Sequence, residues 1–152
     1  MCNDSDLLTV TYRILQYSFG YGLSYTTFEI INFNASSTGG INTFASGEII
    51  KFHATIKNAG AIAGSYVAQV YQLVRVSTIV RPQRQLVAFK RVYLDAGDVT
   101  VVEMETDVDR YMKILNRRYE WELETGDYVF ALMENGGPTA STGTNTTMNC
   151  LG

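Results

Sequence analysis

Apolar and polar positions alternate in pairs along much of the chain. In EIIKFHATIKNAG, Ile50, Phe52, Ala54 and Ile56 alternate with Lys51, His53, Thr55 and Lys57. A period of two sends successive side chains to opposite faces, so a half-buried strand with one wet face is expected here. Asn58-Ala59-Gly60 closes it with turn residues. SYVAQVYQLVRV, residues 65–76, is apolar on both faces and suits a central strand covered on both sides. LVAFKRVYL and VTVVEMET flank Asp95-Ala96-Gly97-Asp98, and the pair reads as a hairpin.

Other segments fill in the same grammar. Thr26 to Phe33 is rich in β-formers and runs into the polar NASSTGG, expected to be a loop. STIVRPQRQ carries Pro82 and is also expected to be a loop. In YEWELETG, Trp121 and Leu123 alternate with Glu120, Glu122 and Glu124. Thr125-Gly126-Asp127 turns the chain, and Tyr128, Phe130 and Leu132 share one face of the expected last strand. One stretch departs from the period of two. Val108, Tyr111, Met112 and Leu115 are spaced three, one and three apart, which predicts a short helical turn over 107–116 capped by Asp107. About seven strands with turn signals every ~8–12 residues predict an all-β fold. The expected form is an antiparallel sandwich of immunoglobulin or fibronectin type III shape.

Composition narrows the reading. A chain of 152 residues with 46% hydrophobic and 18% charged residues fits one globular domain. The expected division is an N-terminal tail over 1–18, a domain over 19–137 and a flexible C-terminal tail over 138–152. A net charge of -3 offers nothing to nucleic acid, and no run of about 18 apolar residues is present to span a membrane. The first residues, MCNDSDLLTV, lack the basic and apolar regions of a signal peptide. A secreted parent would place the chain outside the cell. Cys2 and Cys150 match no zinc spacing. They are expected to be unpaired thiols in loose termini, a disulfide joining the ends being the alternative. Asn3, Asn34 and Asn145 open Asn-x-Ser/Thr sequons, relevant to a secreted chain.

Candidate chemistry is sparse. His53 is the single histidine and lies on a polar strand face, where a surface role is expected. Asp95, Asp98, Glu103, Glu105, Asp107 and Asp109 form an acidic run, but Glu103 and Glu105 alternate with Val102 and Met104 as a solvated strand face would. Arg81, Arg84, Lys90 and Arg91 are too dispersed for nucleic acid and suit pairing with acids or a partner surface. No cofactor is expected. FGYGLSYTTF, residues 19–28, packs four aromatics and two glycines together. It is no phosphate loop, because no helix and no Lys-Ser/Thr follow.

These motifs carry a resemblance. Phe19-Gly20-Tyr21-Gly22-Leu23-Ser24-Tyr25-Thr26 resembles the segment that leads into the C-terminal fibronectin type III-like domain of family 3 glycoside hydrolases, the β-glucosidases and β-xylosidases. NAGAIAGSYVAQVYQ resembles that domain's turn and long strand. VRPQRQLVAFKRVYLDAGD, with Arg81, Pro82, Phe89 and Arg91, resembles its Arg-Pro loop, following strand and turn. ETGDYVFALMENGG, with Gly126 and Tyr128, resembles its closing hairpin. The resemblance implies a structural, non-catalytic accessory domain packed on the catalytic domains of such an enzyme, in cis or in trans. Ser5-Asp6-Leu7 does not match the family's Ser-Asp-Trp nucleophile motif, which lies on an upstream barrel. The alternative is an autonomous carbohydrate- or protein-binding module using Tyr66, Tyr71, Tyr93, Tyr111 or Tyr119 as an aromatic platform. A new enzyme on this scaffold is the third option.

Overall fold

The computed structural model describes residues 17–73, 77–136 and 144–151. In chain order the strands and helix are β1 (Phe28–Ser37), β2 (Thr43–Phe44), β3 (Ile49–Asn58), β4 (Gly64–Leu73), β5 (Arg84–Leu94), β6 (Val99–Asp107), α1 (Val108–Tyr111), β7 (Ile114–Leu115), β8 (Trp121–Glu122), β9 (Gly126–Met133) and β10 (Asn145–Cys150). A three-stranded sheet has the order β1-β3-β6, and a five-stranded sheet the order β2-β10-β9-β4-β5. The short β7 and β8 pair with each other. Among the described residues every strand pairing is antiparallel except that of β10 with β2. Seven of the described strands are six residues or longer, so the expected all-β sandwich is the fold found.

The core lies between the two sheets and follows the period-two pattern. Ile50, Phe52, Ala54 and Ile56 of β3 are fully buried. Phe52 sits with its ring 5.9 Å from that of Phe33 on β1 and 5.2 Å from that of Phe130 on β9, so one aromatic column joins the layers. β4 is central, with β9 on one side and β5 on the other. Its Ala68 and Val70 enter the main core, while Tyr71 enters a second small cluster with Ala131 and Met133 on the opposite face. That two-sided burial is what its unbroken apolar run implied.

Several expectations are corrected. β5 and β6 are not a hairpin, because they belong to different sheets. The turn between them forms as expected, with Asp98 N donating to Asp95 O at 3.1 Å and Gly97 at φ +84°. It carries the chain over the sandwich edge, since both strands then turn apolar residues into one core. β1 runs on to Ser37 through half of the expected NASSTGG loop. Small Ala35 faces inward opposite Phe52, which leaves Asn34 on the wet face. The helical turn is shorter than 107–116, spanning Val108–Tyr111. Asp107 caps it as predicted, its carboxylate accepting from Arg110 N at 3.1 Å. Trp121 and Leu123 do not share a face in a strand. β8 stops at Glu122, Trp121 is exposed, and Leu123 packs against the core.

The largest correction is at the C-terminal end. Residues 145–150 are not a flexible tail but β10, inserted between β9 and β2. Met148 and Cys150 face the core at 0% and 3% exposure. The sequence NTTMNC alternates too briefly, amid Gly, Ser and Thr, to announce a strand. Cys150 is therefore a buried free thiol rather than a loose one. Cys2, Asn3 and Ser5-Asp6 lie outside the described residues.

Candidate functional site

The residues of the family-like motifs meet in space as two groups. The first is built around FGYGLSY. Gly20 has φ +79°, a left-handed conformation that glycine adopts without steric strain. A Cβ at Gly20 would meet Gln69 Oε1 and would lie 2.7 Å from the Tyr71 hydroxyl. The closeness has a purpose. Gln69, 7% exposed on β4, donates from Nε2 to Gly20 O and to Glu134 O, each at 3.0 Å. Its Oε1 accepts from Tyr71 Oη at 2.8 Å. Gly136 N donates to Phe19 O at 2.8 Å. The segment's backbone is thus pinned to the outer face of the five-stranded sheet.

A few residues on, Thr26 Oγ1 donates to Asn58 Oδ1 at 2.7 Å. Asn58 is fully buried and its amide also donates to Ile62 O and Leu94 O, at 2.8 and 3.2 Å. Gly60 and Gly64 leave room for the Thr26 side chain, which a Cβ at either would strike. These contacts explain why FGYGLSYT and NAGAIAG occur together.

While the backbone turns inward, the side chains turn outward. Leu23 is 88% exposed, Tyr25 99%, Phe19 69% and Tyr21 46%. Phe89 of β5, which pairs with Gln69, is 69% exposed, and Val67 of β4 is 41% exposed. Together with the FGYG segment they line a groove of about 690 Å³. Tyr66 also lines it, while its hydroxyl is buried without a hydrogen-bond partner among the described residues. Burial pushes that hydroxyl up to about 12, with the nearby Glu134 carboxylate adding to the shift.

The second group lies by the Arg-Pro loop. Glu124 accepts from Ser77 Oγ at 2.7 Å, Thr78 N at 2.7 Å and Thr78 Oγ1 at 2.5 Å, with Arg81 Nη1 3.9 Å away. Burial by itself would raise this carboxyl. The Thr78 and Ser77 hydrogen bonds and the Arg81 cation together hold it below the usual carboxylate range. Tyr128 donates from its hydroxyl to Glu124 O at 2.9 Å and sets its ring edge-on to Phe44. Gly126 opens β9 at φ +130°, and Pro82 sits exposed in the loop. Arg91 is elsewhere, donating to Ser65 Oγ at 3.0 Å.

The remaining candidates are dispersed. His53 Nδ1 lies 3.6 Å from exposed Glu103 on the wet face of the smaller sheet. Asp109 binds Lys113, Ser46 and Gly47 N, which holds its carboxyl low. Among the described residues no group of three or more His, Cys, Asp or Glu is placed to hold a metal ion. Of the five tyrosines considered as a platform, Tyr71 is buried, Tyr66 packs on Phe28 and Tyr111 is half-buried beneath Arg110, whereas Tyr93 and Tyr119 are exposed on different elements. Asn34 and Asn145 are exposed on strands β1 and β10. Gln69, Asn58 and Glu124 were missed as anchors by sequence reading. Asn58 continues the inward parity of Ile50 to Ile56, and Gln69 interrupts an apolar run, so a signal existed for both.

A fibronectin type III-like family profile matches residues 66–135. β-Glucosidase B of Emericella nidulans is 34% identical over 116 residues, covering 76% of this chain and 13% of that protein. The crystal structure of β-glucosidase from Listeria innocua superposes with a TM-score of 0.72 at 28% identity, covering 90% of this chain and 18% of that one. The Bifidobacterium adolescentis family 3 β-glucosidase gives a TM-score of 0.73 at 25% identity over 88% of this chain and 18% of its own. Sandwich, register and motif contacts define a fibronectin type III-like domain. The chain belongs to the form of that domain carried by family 3 glycoside hydrolases of β-glucosidase type. It spans 13–16% of the length of the curated relatives it matches.

Proposed function

We propose that this chain is a non-catalytic accessory domain that packs on the catalytic domains of a family 3 glycoside hydrolase, in cis or in trans. One observation carries the reading. The polar side chains of the motifs, Gln69, Asn58 and Glu124, are spent on internal ties, while large apolar side chains are turned out to solvent. That distribution suits a body that supports another protein surface. The unit of the proposal is the sandwich from β1 to β10 together with the FGYGLSY segment pinned on it, with the motif residues holding its shape. The purified chain is expected to show no turnover of aryl β-glucosides or β-xylosides. Turnover abolished by mutating one of its own carboxylates would refute the proposal.

A second reading has its own observation. Tyr119, at φ +64°, and Trp121 are 85% and 69% exposed at the β7–β8 hairpin, and exposed aromatics are what a sugar-binding sandwich presents. Titration with cello- and xylo-oligosaccharides, followed by Trp121 fluorescence, separates the two. The accessory-domain reading expects no change at millimolar sugar.

A further inference from the structure

We infer that Asn135-Gly136 is a deamidation site held closed by the FGYGLSY segment, so that peeling of that segment from the sheet is recorded as a covalent change. The inference is independent of what the domain packs on. Asn135-Gly136 is the single Asn-Gly pair in the chain. In such a pair the glycine nitrogen is unshielded by any Cβ and can attack the asparagine side chain. Gly136 N, after losing its proton to solvent base, bonds to Asn135 Cγ. The Cγ–Nδ2 bond breaks, the departing nitrogen takes up a proton and leaves as ammonia, and a succinimide ring closes. Water then opens the ring at either carbonyl and gives aspartate or isoaspartate. The balance is one water consumed and one ammonia released.

The fold itself places this labile pair. A Cβ at residue 136 would lie 3.0 Å from Cε1 of buried Tyr71, so the packing favours glycine there. The same packing withholds the reaction. Gly136 N donates to Phe19 O at 2.8 Å, which engages both the attacking nitrogen and its proton. On the other side of Asn135, Glu134 O accepts from Gln69 Nε2 at 3.0 Å, and the same Nε2 donates to Gly20 O at 3.0 Å. The main chain on both flanks of Asn135 is thus tied to one segment, to Phe19 directly and to Gly20 through Gln69. Ring closure requires the Asn135 main chain to rotate until Cγ meets Gly136 N, and both ties oppose that rotation. Release of Phe19 and Gly20 frees the nitrogen while the sandwich stays folded, a local opening that costs less than global unfolding. The product differs from the parent in two ways. It adds a carboxylate beside exposed Glu134, one unit more negative than the present net charge of -3. Isoaspartate also adds a main-chain carbon between the Glu134 and Gly136 ties, so both no longer fit at once and the segment stays released.

The test incubates the full chain at mildly alkaline pH and follows Asn135 by tandem mass spectrometry of the tryptic peptide that begins at Tyr119. Wild type, Gly20→Ala, Gly22→Ala and Val102→Ala are compared, each native and in urea. Gly20→Ala displaces Gln69, whereas a Cβ at Gly22 meets nothing within 4 Å. Val102→Ala cuts a buried side chain on the other sheet and lowers global stability without touching the ties. Native wild type is expected to convert at least about tenfold more slowly than in urea, and native Gly20→Ala severalfold faster than native wild type. Gly22→Ala and Val102→Ala are expected to keep the wild-type native rate. Equal native and urea rates for wild type overturn the protection, a comparison that stands even where a variant does not fold. Gly20→Ala at the wild-type rate, or Val102→Ala as fast as Gly20→Ala, overturns the gate. The acidic product is then separated by ion exchange and digested with chymotrypsin. Cleavage after Tyr21 faster than in the unreacted chain supports the lasting release, and equal cleavage overturns it.

Discussion

Single residues decide how the FGYGLSY segment sits. Gly20 is required twice over, by φ +79° and by its contact with Gln69, whereas a methyl group at Gly22 would meet nothing within 4 Å. Gly20→Ala is therefore expected to lower stability by about 1–3 kcal/mol, from the strained backbone and the displaced amide. Gly22→Ala should stay within about 0.5 kcal/mol of wild type. Urea unfolding of both variants checks the contrast, and equal effects would remove Gly20 from its anchoring role. This difference between two glycines two positions apart was not legible in the sequence. Both lie between aromatics, and the partner that tells them apart, Gln69, comes from a strand far along the chain. Asn58 was closer to legible, because its parity in β3 marks it as buried. What a buried amide would bind still depended on where Thr26, Ile62 and Leu94 end up.

Strands were readable where one face is wet and the other dry, as β3 shows, and less so where connection matters more than pattern. Alternating segments on either side of a tight turn satisfy a hairpin and an arch equally, so β5 and β6 could not be assigned to different sheets from their own residues. The loop between β4 and β5 is a further case. Its Ser77 and Thr78 are tied to Glu124, which strand alternation had placed on a solvated face. The sign of its pH dependence follows from the depressed carboxyl. The ionised form is favoured in the fold, so the unfolded chain binds more protons as pH falls. The contribution of Glu124 to stability is present in full above the ordinary carboxylate range. It is lost as pH drops through the lowered folded value. Thermal melts of wild type and Glu124→Gln between pH 7 and pH 3 should start apart, with wild type higher, and converge at the acid end. A gap that widens toward acid would contradict the assignment.

As an assembly, the domain is a closed core between two sheets, with an apolar groove beside the FGYGLSY segment on the larger one. The motifs announced the kind of domain because they mark turns and backbone approaches that the fold needs. The exposed apolar groove was less visible, since Leu23, Val67 and Phe89 look like ordinary core residues until the sheets are laid out. The C-terminal strand was hidden by its composition, yet it completes the larger sheet. Deleting Asn145–Cys150 is expected to strip the edge of β9, uncover Phe44 and Phe130, and yield a chain that aggregates by light scattering at micromolar concentration. A soluble, monomeric product with an unchanged melt would show β10 to be dispensable. The same pairing has a consequence in time. Thr43 is matched with Asn149 and Phe44 with Cys150, so one of the earliest strands made must wait for the last of those described. On the ribosome, β1 to β9 can emerge and begin to collapse while the larger sheet is still open on one side. Closure of the larger sheet then waits for Cys150 to emerge, and the nascent chain is most in need of a chaperone in the interval before it does.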